Sequence, residues 1–317
     1  MLVSRFRAVL VLLAVLLVAS CTPGGHQPTG TGRTGSAASL LGDLRTLDPC
    51  TLIDPAALSG LGRAWQAETV SLDYCLLHLR LDNGSLVQVA VGQLVEHSPQ
   101  ADDGSPVVRR GELSLVQNAP LPGHCTRQVL FQDGLALQVN VDLLEGDPAS
   151  GLCGAAESAA EAVIDAIDQH RVGHRQYSAE SLAFRDPCQL LDLAVVRQVP
   201  GLEEAEPQAA PAGHQCLWGE MAAGSSRVQL VHTAGEPPRV MHGAAVEEQI
   251  AGRRTVLSIV GGDPRTPLCS AETAHIPFAG DGQVEVAMLV VAVPGETGVD
   301  ACEYARGLAG HAWPKLP

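Results

Sequence analysis

The chain carries the same cysteine pattern twice, and this repetition restricts its possible folds more than any other feature. Asp48-Pro49-Cys50 recurs as Asp186-Pro187-Cys188. Three further cysteines follow in each copy, and the offset between counterparts rises from 138 residues at the first pair to 149 at the last. The counterparts are Cys50 and Cys188, Cys75 and Cys216, Cys125 and Cys269, and Cys153 and Cys302.

A second match sets the register of this repeat. The stretch 109–116 aligns with 253–260 at an offset of 144 residues, the same offset as for the third cysteine pair. Solenoid repeats have periods of about 20–50 residues, so a period this long indicates two whole domains. We expect a first domain at 41–172 and a second at 173–317, which suits a chain of 317 residues.

Each copy predicts an α+β domain, an antiparallel sheet packed with an N-terminal and a C-terminal helix. Asp54-Pro55 is typical of a helix start, and Asp82-Asn83-Gly84 is a strong hairpin turn. Apolar patterning places strands at 75–81, 85–91, 113–117, 125–131 and 135–141, with a closing helix at 153–170. The second copy predicts a helix at 192–199, strands at 215–221, 227–233, 255–260 and 283–293, and a last helix from 302. A linker is expected within 171–185.

Four cysteines per copy allow three pairings, which the sequence alone does not resolve. The absence of C-x-x-C spacing argues against zinc and thioredoxin-like sites. We favour local pairing, because each bridge then ties a helix start to a strand. The expected disulfides are Cys50–Cys75, Cys125–Cys153, Cys188–Cys216 and Cys269–Cys302. Each closes a loop of about 25–35 residues, worth roughly 3–4 kcal/mol. Free catalytic thiols are the weaker alternative.

The N-terminus predicts export and lipid anchoring. Arg5 and Arg7 precede an apolar run at 8–18, as in a secretory signal peptide at 1–20. A membrane-spanning helix needs about 20 apolar residues, so that alternative is weaker. The residues before Cys21, Val-Ala-Ser, resemble a bacterial lipobox, which implies cleavage before Cys21 and a diacylglycerol on its sulfur. The alternative is ordinary cleavage with free secretion.

The segment 21–40 is rich in Gly, Thr, Ser and Pro and predicts a flexible tether. With the lipid, it would hold the folded part at the extracytoplasmic face of the cell membrane. The chain has 20 Lys and Arg against 35 Asp and Glu, a formal charge of −15, which argues against a nucleic-acid partner. Aromatic residues make up only 3%, so few side chains could stack on bases or sugars.

The motifs resemble those of actinobacterial Asp-Pro-Cys cell-envelope lipoproteins of unknown function. They are also similar to the extracellular sensor domain of PknH-type mycobacterial kinases. The second copy matches in 186–188 and in Cys216-Leu217-Trp218, whereas the first has Leu77 where the tryptophan would stand. The resemblance implies a disulfide-linked helix-on-sheet domain that would allow a ligand cleft. It brings no catalytic residues.

No motif for catalysis or cofactor binding stands out. G-x-S-x-G does not occur, and the G-x-G-x-x-G match at 30–35 lacks the flanking strand and helix. His170 and His174 have helical metal-ligand spacing, but a solvated helix end is the favoured interpretation. We therefore expect no enzyme activity, metal or cofactor.

Paired arginines are the most suggestive polar feature. Arg109-Arg110 and Arg253-Arg254 stand at matching positions, and an arginine could hold a carboxylate or phosphate. Surface ion pairing at a strand entrance is the blander alternative. Trp218 is a further candidate ligand contact, with core packing beside its disulfide as the alternative.

The leading hypothesis is thus a lipid-anchored protein whose tandem domains bind an unknown ligand or envelope protein without catalysis. The runner-up is a structural or accessory protein that docks on another envelope protein. A hydrolase with a scattered active site is the weakest hypothesis.

Overall fold

The structure, a computed structural model, describes residues 35–67, 71–98, 104–147, 151–240, 245–263, 265–278, 280, 282–295 and 300–317. These residues belong to one compact unit. The signal peptide, Cys21 and the tether up to residue 34 lie outside the described residues. No helix in the described part is both long enough and apolar enough to cross a bilayer.

The first repeat is a seven-stranded antiparallel sheet with one long helix. A short helix, α1 (Ala37–Leu41), and two single-turn 3-10 helices (Pro49–Thr51 and Pro55–Leu58) precede the sheet. The long helix α2 (Leu152–Asp168) closes the repeat. The sheet order is β1-β2-β3-β7-β6-β5-β4. The strands are β1 (Gly62–Gln66), β2 (Cys75–Leu81), β3 (Leu86–Glu96), β4 (Val107–Arg110), β5 (Leu113–Gln117), β6 (His124–Leu130) and β7 (Leu135–Glu145).

The second repeat has the same topology. Its sheet order, β8-β9-β10-β14-β13-β12-β11, reproduces that of the first sheet strand for strand, and every pairing is antiparallel. The helices are α3 (Leu193–Val196) and α4 (Ala301–Ala312), with 3-10 turns at Leu182–Phe184, Pro187–Gln189 and Trp313–Lys315. The strands are β8 (Pro207–Ala209), β9 (Gln215–Gly219), β10 (Arg227–Gly235), β11 (Val246–Ile250), β12 (Arg253–Asp263), β13 (Thr266–Pro277) and β14 (Val284–Ala292).

One face of each sheet packs against its closing helix. In the first repeat, alternate strand residues such as Val89 and Val141 are fully buried, as a two-residue period requires. Helix α2 presents alanines to them, and Ala155, Ala156 and Ala159 are 0% exposed. Small side chains let the helix approach the sheet closely. The α+β class predicted from the sequence is therefore confirmed.

The four disulfides have the local pairing: Cys50–Cys75, Cys125–Cys153, Cys188–Cys216 and Cys269–Cys302. The recurring Asp-Pro-Cys motif forms a capped single turn in both copies. Asp48 Oδ1 accepts a hydrogen bond from Cys50 N at 3.2 Å, and Asp186 Oδ1 accepts one from Cys188 N at 2.9 Å. Proline at the first position of each turn fixes the backbone without losing a needed donor.

Two expectations need correction. The helix predicted after each Asp-Pro-Cys is only a 3-10 turn at Pro55–Leu58 in the first copy and one turn, Leu193–Val196, in the second. Each sheet also has more strands than the apolar patterning revealed. The unpredicted strands are β1, β4, β8, β11 and β13.

The alignment of 109–116 with 253–260 is also wrong as a structural register. Val129 and Thr273 are counterparts, because each lies four residues after the third cysteine of its copy, Cys125 or Cys269. In the sheets, Val129 pairs with Leu115 and Thr273 pairs with Thr255. Leu115 therefore corresponds to Thr255, an offset of 140 rather than 144 residues. A shift of four residues leaves every strand side chain on its original face, so apolar alternation cannot distinguish the two registers.

Candidate functional site

The two repeats meet through residues 71–74, which lead into β2. Leu72 is 1% exposed, although it precedes the strand and lies outside the core of its own sheet. It packs in a small apolar cluster of the second repeat. That cluster contains Ala183 and Ala234, with Tyr177 and Phe278 partly buried against it. This segment of the first repeat therefore packs into the second repeat.

A buried acid–imidazole pair lies next to the Leu72 contact, within residues 71–74. Asp73 Oδ1 is 2.6 Å from His214 Nδ1, and their side chains are 8% and 1% exposed. Asp73 stands two residues before Cys75, and His214 stands two residues before Cys216. Direct contact between counterparts is the signature of a two-fold contact, in which a residue meets its own equivalent at the axis. The tandem repeats thus meet as the subunits of a homodimer would.

Arg175, in the connection between the repeats, supports the same junction. Its guanidinium donates to Asp48 Oδ1 from Nε at 3.1 Å and to the carbonyl oxygen of Ser71 from Nη1 at 2.5 Å. Its guanidinium carbon lies 5.3 Å from the ring centroid of Phe278. The aspartate of the first Asp-Pro-Cys motif therefore has two roles, as the cap of its turn and as a partner of the connection.

From the buried pair, hydrogen bonds run outward through two glutamines. Gln215 Nε2 donates to Asp73 Oδ2 at 2.9 Å, and Gln229 Nε2 donates to Gln215 Oε1 at 3.1 Å. A buried acid with both oxygens occupied fixes the orientation of the amides that it binds. The junction between the repeats therefore positions these two side chains.

Both glutamines line a cleft of about 510 Å³ between the repeats. Four consecutive residues of β3 form one side of it, and residues from β8 to β10 form the other. Neutral amides, prolines and aliphatic side chains dominate, and the one charged lining residue in the described part of the chain is Glu96. The lining residues are Gln93, Leu94, Val95, Glu96, Pro207, Gln208, Ala209, Ala210, Pro211, Gln215, Leu217, Met221 and Gln229.

A second buried imidazole lies close to the junction. His232 is 0% exposed, and its Nδ1 donates to the carbonyl oxygen of Leu182 at 3.0 Å. Burial, chiefly, lowers the pKa of His232 to about 4, and the neighbouring His214 and His275 act in the same direction. His232 is therefore neutral at pH 7.

Glu285, 2% exposed, lies on the same side of the second sheet and is satisfied by Ser181 Oγ at 2.5 Å and Leu182 N at 2.7 Å. Both of its oxygens are thus accounted for by neutral donors. These contacts fasten the 3-10 turn at Leu182–Phe184 to β14.

The arginine and tryptophan candidates lie elsewhere, and none of the five lines this cleft. Arg109 Nε donates to the Gly111 carbonyl at 3.2 Å, and Arg110 pairs with Glu161 of α2 at 2.7 Å. The first pair therefore makes local and helix contacts.

In the second repeat, Arg253 Nη2 donates to the Pro317 carbonyl at 2.6 Å. Arg254 pairs with Glu247 at 2.6 Å and lines a separate pocket of about 380 Å³. Trp218 is 1% exposed within the second core, so it packs against its neighbours rather than facing a ligand.

The other polar candidates also have structural partners. His174 Nδ1 lies 3.0 Å from Thr46 Oγ1, and His170 follows the end of α2 with a positive φ of 54°. Among the described residues, no group of three His, Cys, Asp or Glu side chains could hold a metal ion.

The residues that build the cleft and its support were missed at the sequence level. Their signal was present in the repeat alignment, where Asp73 and His214 occupy equivalent positions beside the second cysteine of each copy. Gln215 and Gln229 carry no sequence signal of their own.

Comparisons with known proteins add little. No family model matches the chain, and no curated protein matches it. Among solved structures, a comparison returns the di-domain ARO/CYC protein BexL from the BE-7585A biosynthetic pathway, at 10% identity and a TM-score of 0.13. The match covers 76% of this chain and 80% of that one. Similarity at this level carries no argument about fold or function.

Proposed function

We propose that this chain is a lipid-anchored extracytoplasmic protein that binds a ligand in the cleft between its repeats, without catalysis. One observation carries the proposal. The buried Asp73–His214 pair fixes Gln215 and, through it, Gln229, and both amides line a cleft of about 510 Å³. Clefts between domains with a few oriented polar groups are the usual form of ligand sites.

The location rests on the sequence and on the disulfides. Four disulfides in a chain of this size support an oxidising compartment outside the cytoplasm. The signal-peptide pattern and the lipobox-like residues before Cys21 support export and lipidation. The envelope-lipoprotein resemblance in the Asp-Pro-Cys motifs agrees with both.

Binding is favoured over hydrolysis by the state of the acid–imidazole pair. A catalytic histidine needs a nucleophile hydrogen-bonded to its second ring nitrogen, and it needs access to substrate. His214 is 1% exposed, and its Nε2 has no hydrogen-bond partner among the described residues. All eight cysteines of the described part are in disulfides, so none is a free thiolate. The pair therefore suits a structural role at the junction.

The cleft lining favours a neutral or basic ligand. Glutamine amides both donate and accept hydrogen bonds, so they suit hydroxyl and amide groups. The described lining includes no arginine or lysine to neutralise an anion, while Glu96 and the formal charge of −15 would repel one.

Filling the cleft tests the binding role. Ala210 lines the cleft opposite Gln215, on the face that carries Leu217 and Gln229, and it lies outside the core, so Ala210→Arg should fill the cleft. Ala223→Arg is the control, because Ala223 is exposed and does not line the cleft. Wild type and Ala223→Arg should retain the same species from an envelope extract, identified by mass spectrometry, and Ala210→Arg should lose them. Identical retention by all three proteins would refute the proposal.

The anchor is tested separately. Cys21→Ala removes the sulfur that would carry the lipid and should move the protein from the membrane fraction to the medium. Ser20→Thr leaves that sulfur in place and serves as the control. If the alanine variant stays at the membrane, the lipid anchor is wrong while the cleft proposal is untouched.

A further inference from the structure

The part of β3 that lines the cleft has a neighbouring strand on one side only. β2 begins at Cys75, whose pairing partner on β3 is Val91, whereas β3 continues to Glu96. Beyond a register shift at 91–94, β3 pairs with β7 alone, through Leu94 to Glu96. Within the described residues, no strand lies along the other edge of this stretch.

The register shift decides which main-chain groups face that open edge. His97 N donates to the Gly134 carbonyl at 2.9 Å, so the main-chain groups of Val95 and His97 point toward β7. Successive residues of an antiparallel strand direct their N–H and C=O groups to opposite sides. The N–H and C=O groups of Leu94 and Glu96 therefore point away from β7, toward the open edge. Glu96 is exposed there, whereas Leu94 is only 4% exposed.

The junction between the repeats is what leaves this edge open. At Gly92, where φ is 127°, a Cβ would lie 2.5 Å from Pro49 Cβ and 2.9 Å from the Asp73 carbonyl oxygen. The chain before Cys75 therefore crosses β3 at this glycine instead of running beside it. Leu72 and Asp73 are buried against the second repeat, so β2 cannot extend to cover the edge.

The opposite side of the cleft also has a strand edge. Among the described strands, β8 is the outermost of the second sheet and pairs only with β9. Ala210 N donates to the Gln215 carbonyl at 2.9 Å, in register with Gln208 opposite Leu217. By the same alternation, the N–H and C=O groups of Ala209 point outward. The cleft thus lies between the edge of β3 and the β8 side of the second sheet, whose outer face contributes Gln215, Leu217 and Gln229.

We propose that the cleft takes an extended, neutral or basic polypeptide segment, which pairs along this edge with the main chain of Glu96 as an added strand. This assignment rests on the proposed function, since it names the ligand class of the same cleft. Main-chain hydrogen bonds along an open edge supply affinity, and alternate side chains supply selectivity. Gln229 and Met221 are among the side chains that they would meet.

Other ligand classes fit less well. Sugar rings commonly stack on aromatic faces, and none of the described residues that line the cleft is aromatic. Anions need cationic or N–H-rich partners, and Glu96 is the one charged group of the described lining. A peptide uses what the cleft does offer, which is two strand edges and uncharged amides.

Defined probes test the ligand class. Two nine-residue peptide libraries built from Val, Thr and Gln would be compared, one with Lys and one with Glu at the variable charged position. A chitin-derived tetrasaccharide and inorganic phosphate serve as the non-peptide probes. The Lys library should yield binders that Ala210→Arg excludes, and the Glu library should not. Equal recovery from both libraries, or binding that Ala210→Arg leaves intact, would overturn the assignment.

Strand pairing is tested at Glu96. Glu96→Pro removes the outward N–H but no bond to β7, and Glu96→Ala removes the same side chain while keeping that N–H. For an uncharged selected peptide, the proline variant should bind about tenfold more weakly than the alanine variant, the effect of about one lost hydrogen bond. Equal affinities of two variants that unfold at the same temperature would exclude pairing at this residue.

A second measurement needs no protein variant. Backbone N-methylation at each position of the selected peptide should weaken binding to the wild type at every second position, as a paired strand requires. Uniform effects along the peptide would overturn strand addition. If only the tetrasaccharide or phosphate binds, and Ala210→Arg blocks it, the peptide assignment fails while the binding role stands. If no probe and no extract species depends on the cleft, both fail.

Discussion

The two repeats have the same strand order and equivalent disulfides, but the outer faces of their sheets differ. In both, the helix-facing side of the sheet is aliphatic and is fixed by equivalent disulfides. The opposite faces differ. The strand pairings that start from the equivalent cysteines Cys75 and Cys216 lead to Val139 in the first sheet and to Leu289 in the second. The next residues, Asn140 and Val290, are therefore counterparts, and so are Asp142 and Ala292.

In the first repeat this outer face carries a connected polar row. Thr126 Oγ1 donates to Asn140 Oδ1 at 2.7 Å, and His124 lies 2.6 Å from Asp142 through Nδ1 and 2.8 Å from Thr126 through Nε2. In the second repeat the counterparts of Asn140 and Asp142 are apolar and buried, with Val290 9% and Ala292 0% exposed, and the hydrogen bonds of that face join Ser258, Ser270 and Glu272 instead. The helix-facing core constrains both copies, whereas the outer face was free to diverge.

The junction between the repeats also depends on a difference between the two copies. One copy has an acid and the other an imidazole at equivalent positions, Asp73 and His214, and the two meet in a buried pair. Two identical residues there would place like groups against each other. The difference between the copies therefore stabilises their association, and this can be tested by exchanging the pair.

The largest effect is expected from breaking and restoring that pair. His214→Asp would bury two carboxylates together, and Asp73→His would bury two imidazoles. Each should lower the free energy of unfolding by about 3–5 kcal/mol, because each leaves a buried polar group without its partner. The exchanged double variant should recover most of this loss if the contact is two-fold. A double variant as unstable as the sum of the two losses, measured by urea unfolding at pH 7, would show that the two sides are not equivalent.

Acid should weaken the second repeat before the first. His232 is neutral in the folded protein, with a pKa of about 4, while the unfolded chain takes up a proton near pH 6.5. Between these pH values the unfolded state binds more protons, so stability is lost as pH falls. The loss reaches on the order of 3 kcal/mol at pH 4, since one pKa unit is about 1.4 kcal/mol.

Hydrogen exchange checks this difference strand by strand. The amides of β10 and β14 should lose protection in acid before those of β3 and β7, because the described histidines of the first repeat are at least partly exposed. His232→Asn keeps a donor for Leu182 and should flatten the pH dependence, whereas His311→Asn, at an exposed site, should not. An unchanged slope in the His232 variant would assign the acid response to another group.

The smallest effect is expected from exchanging the outer faces. Val290→Asn would bury an amide whose cross-strand neighbours are Gln229 and Ser270, and the groups of that amide left unpaired should cost about 1–3 kcal/mol. Asn140→Val removes one acceptor of a half-buried row, where Thr126 keeps His124 as a partner, and should cost less than about 1 kcal/mol. Thermal unfolding of both variants gives the comparison. Equal losses would mean that the two outer faces are equally tolerant of polarity.

Much of the secondary structure was predictable, because it follows from local sequence patterns. Asp82-Asn83-Gly84 forms its hairpin turn, with Gly84 at a φ of 90° and Asn83 Oδ1 accepting from Ser85 N at 3.0 Å. The α2 helix was likewise visible in its apolar spacing. Edge strands such as β8 were not, because Pro207 to Ala209 are all exposed and carry no alternation. The cleft was invisible for a different reason, since its residues come together only when the repeats dock.

By itself, the sequence determined the duplication, the α+β class and the positions of four cysteines in each copy, because these follow from residue periodicity and from repetition along the chain. The choice among the three cysteine pairings of each copy needed the structure. Tertiary structure alone decided the junction and what it creates. Asp73 and His214 are 141 residues apart, and no local propensity relates them. Where they meet, the chain leaves β3 at Cys75, so that no described strand runs beside Leu94 and Glu96, and Asp73 orients Gln215. The relative placement of two packed sheets is a property of the docked surfaces, which no local stretch of sequence encodes.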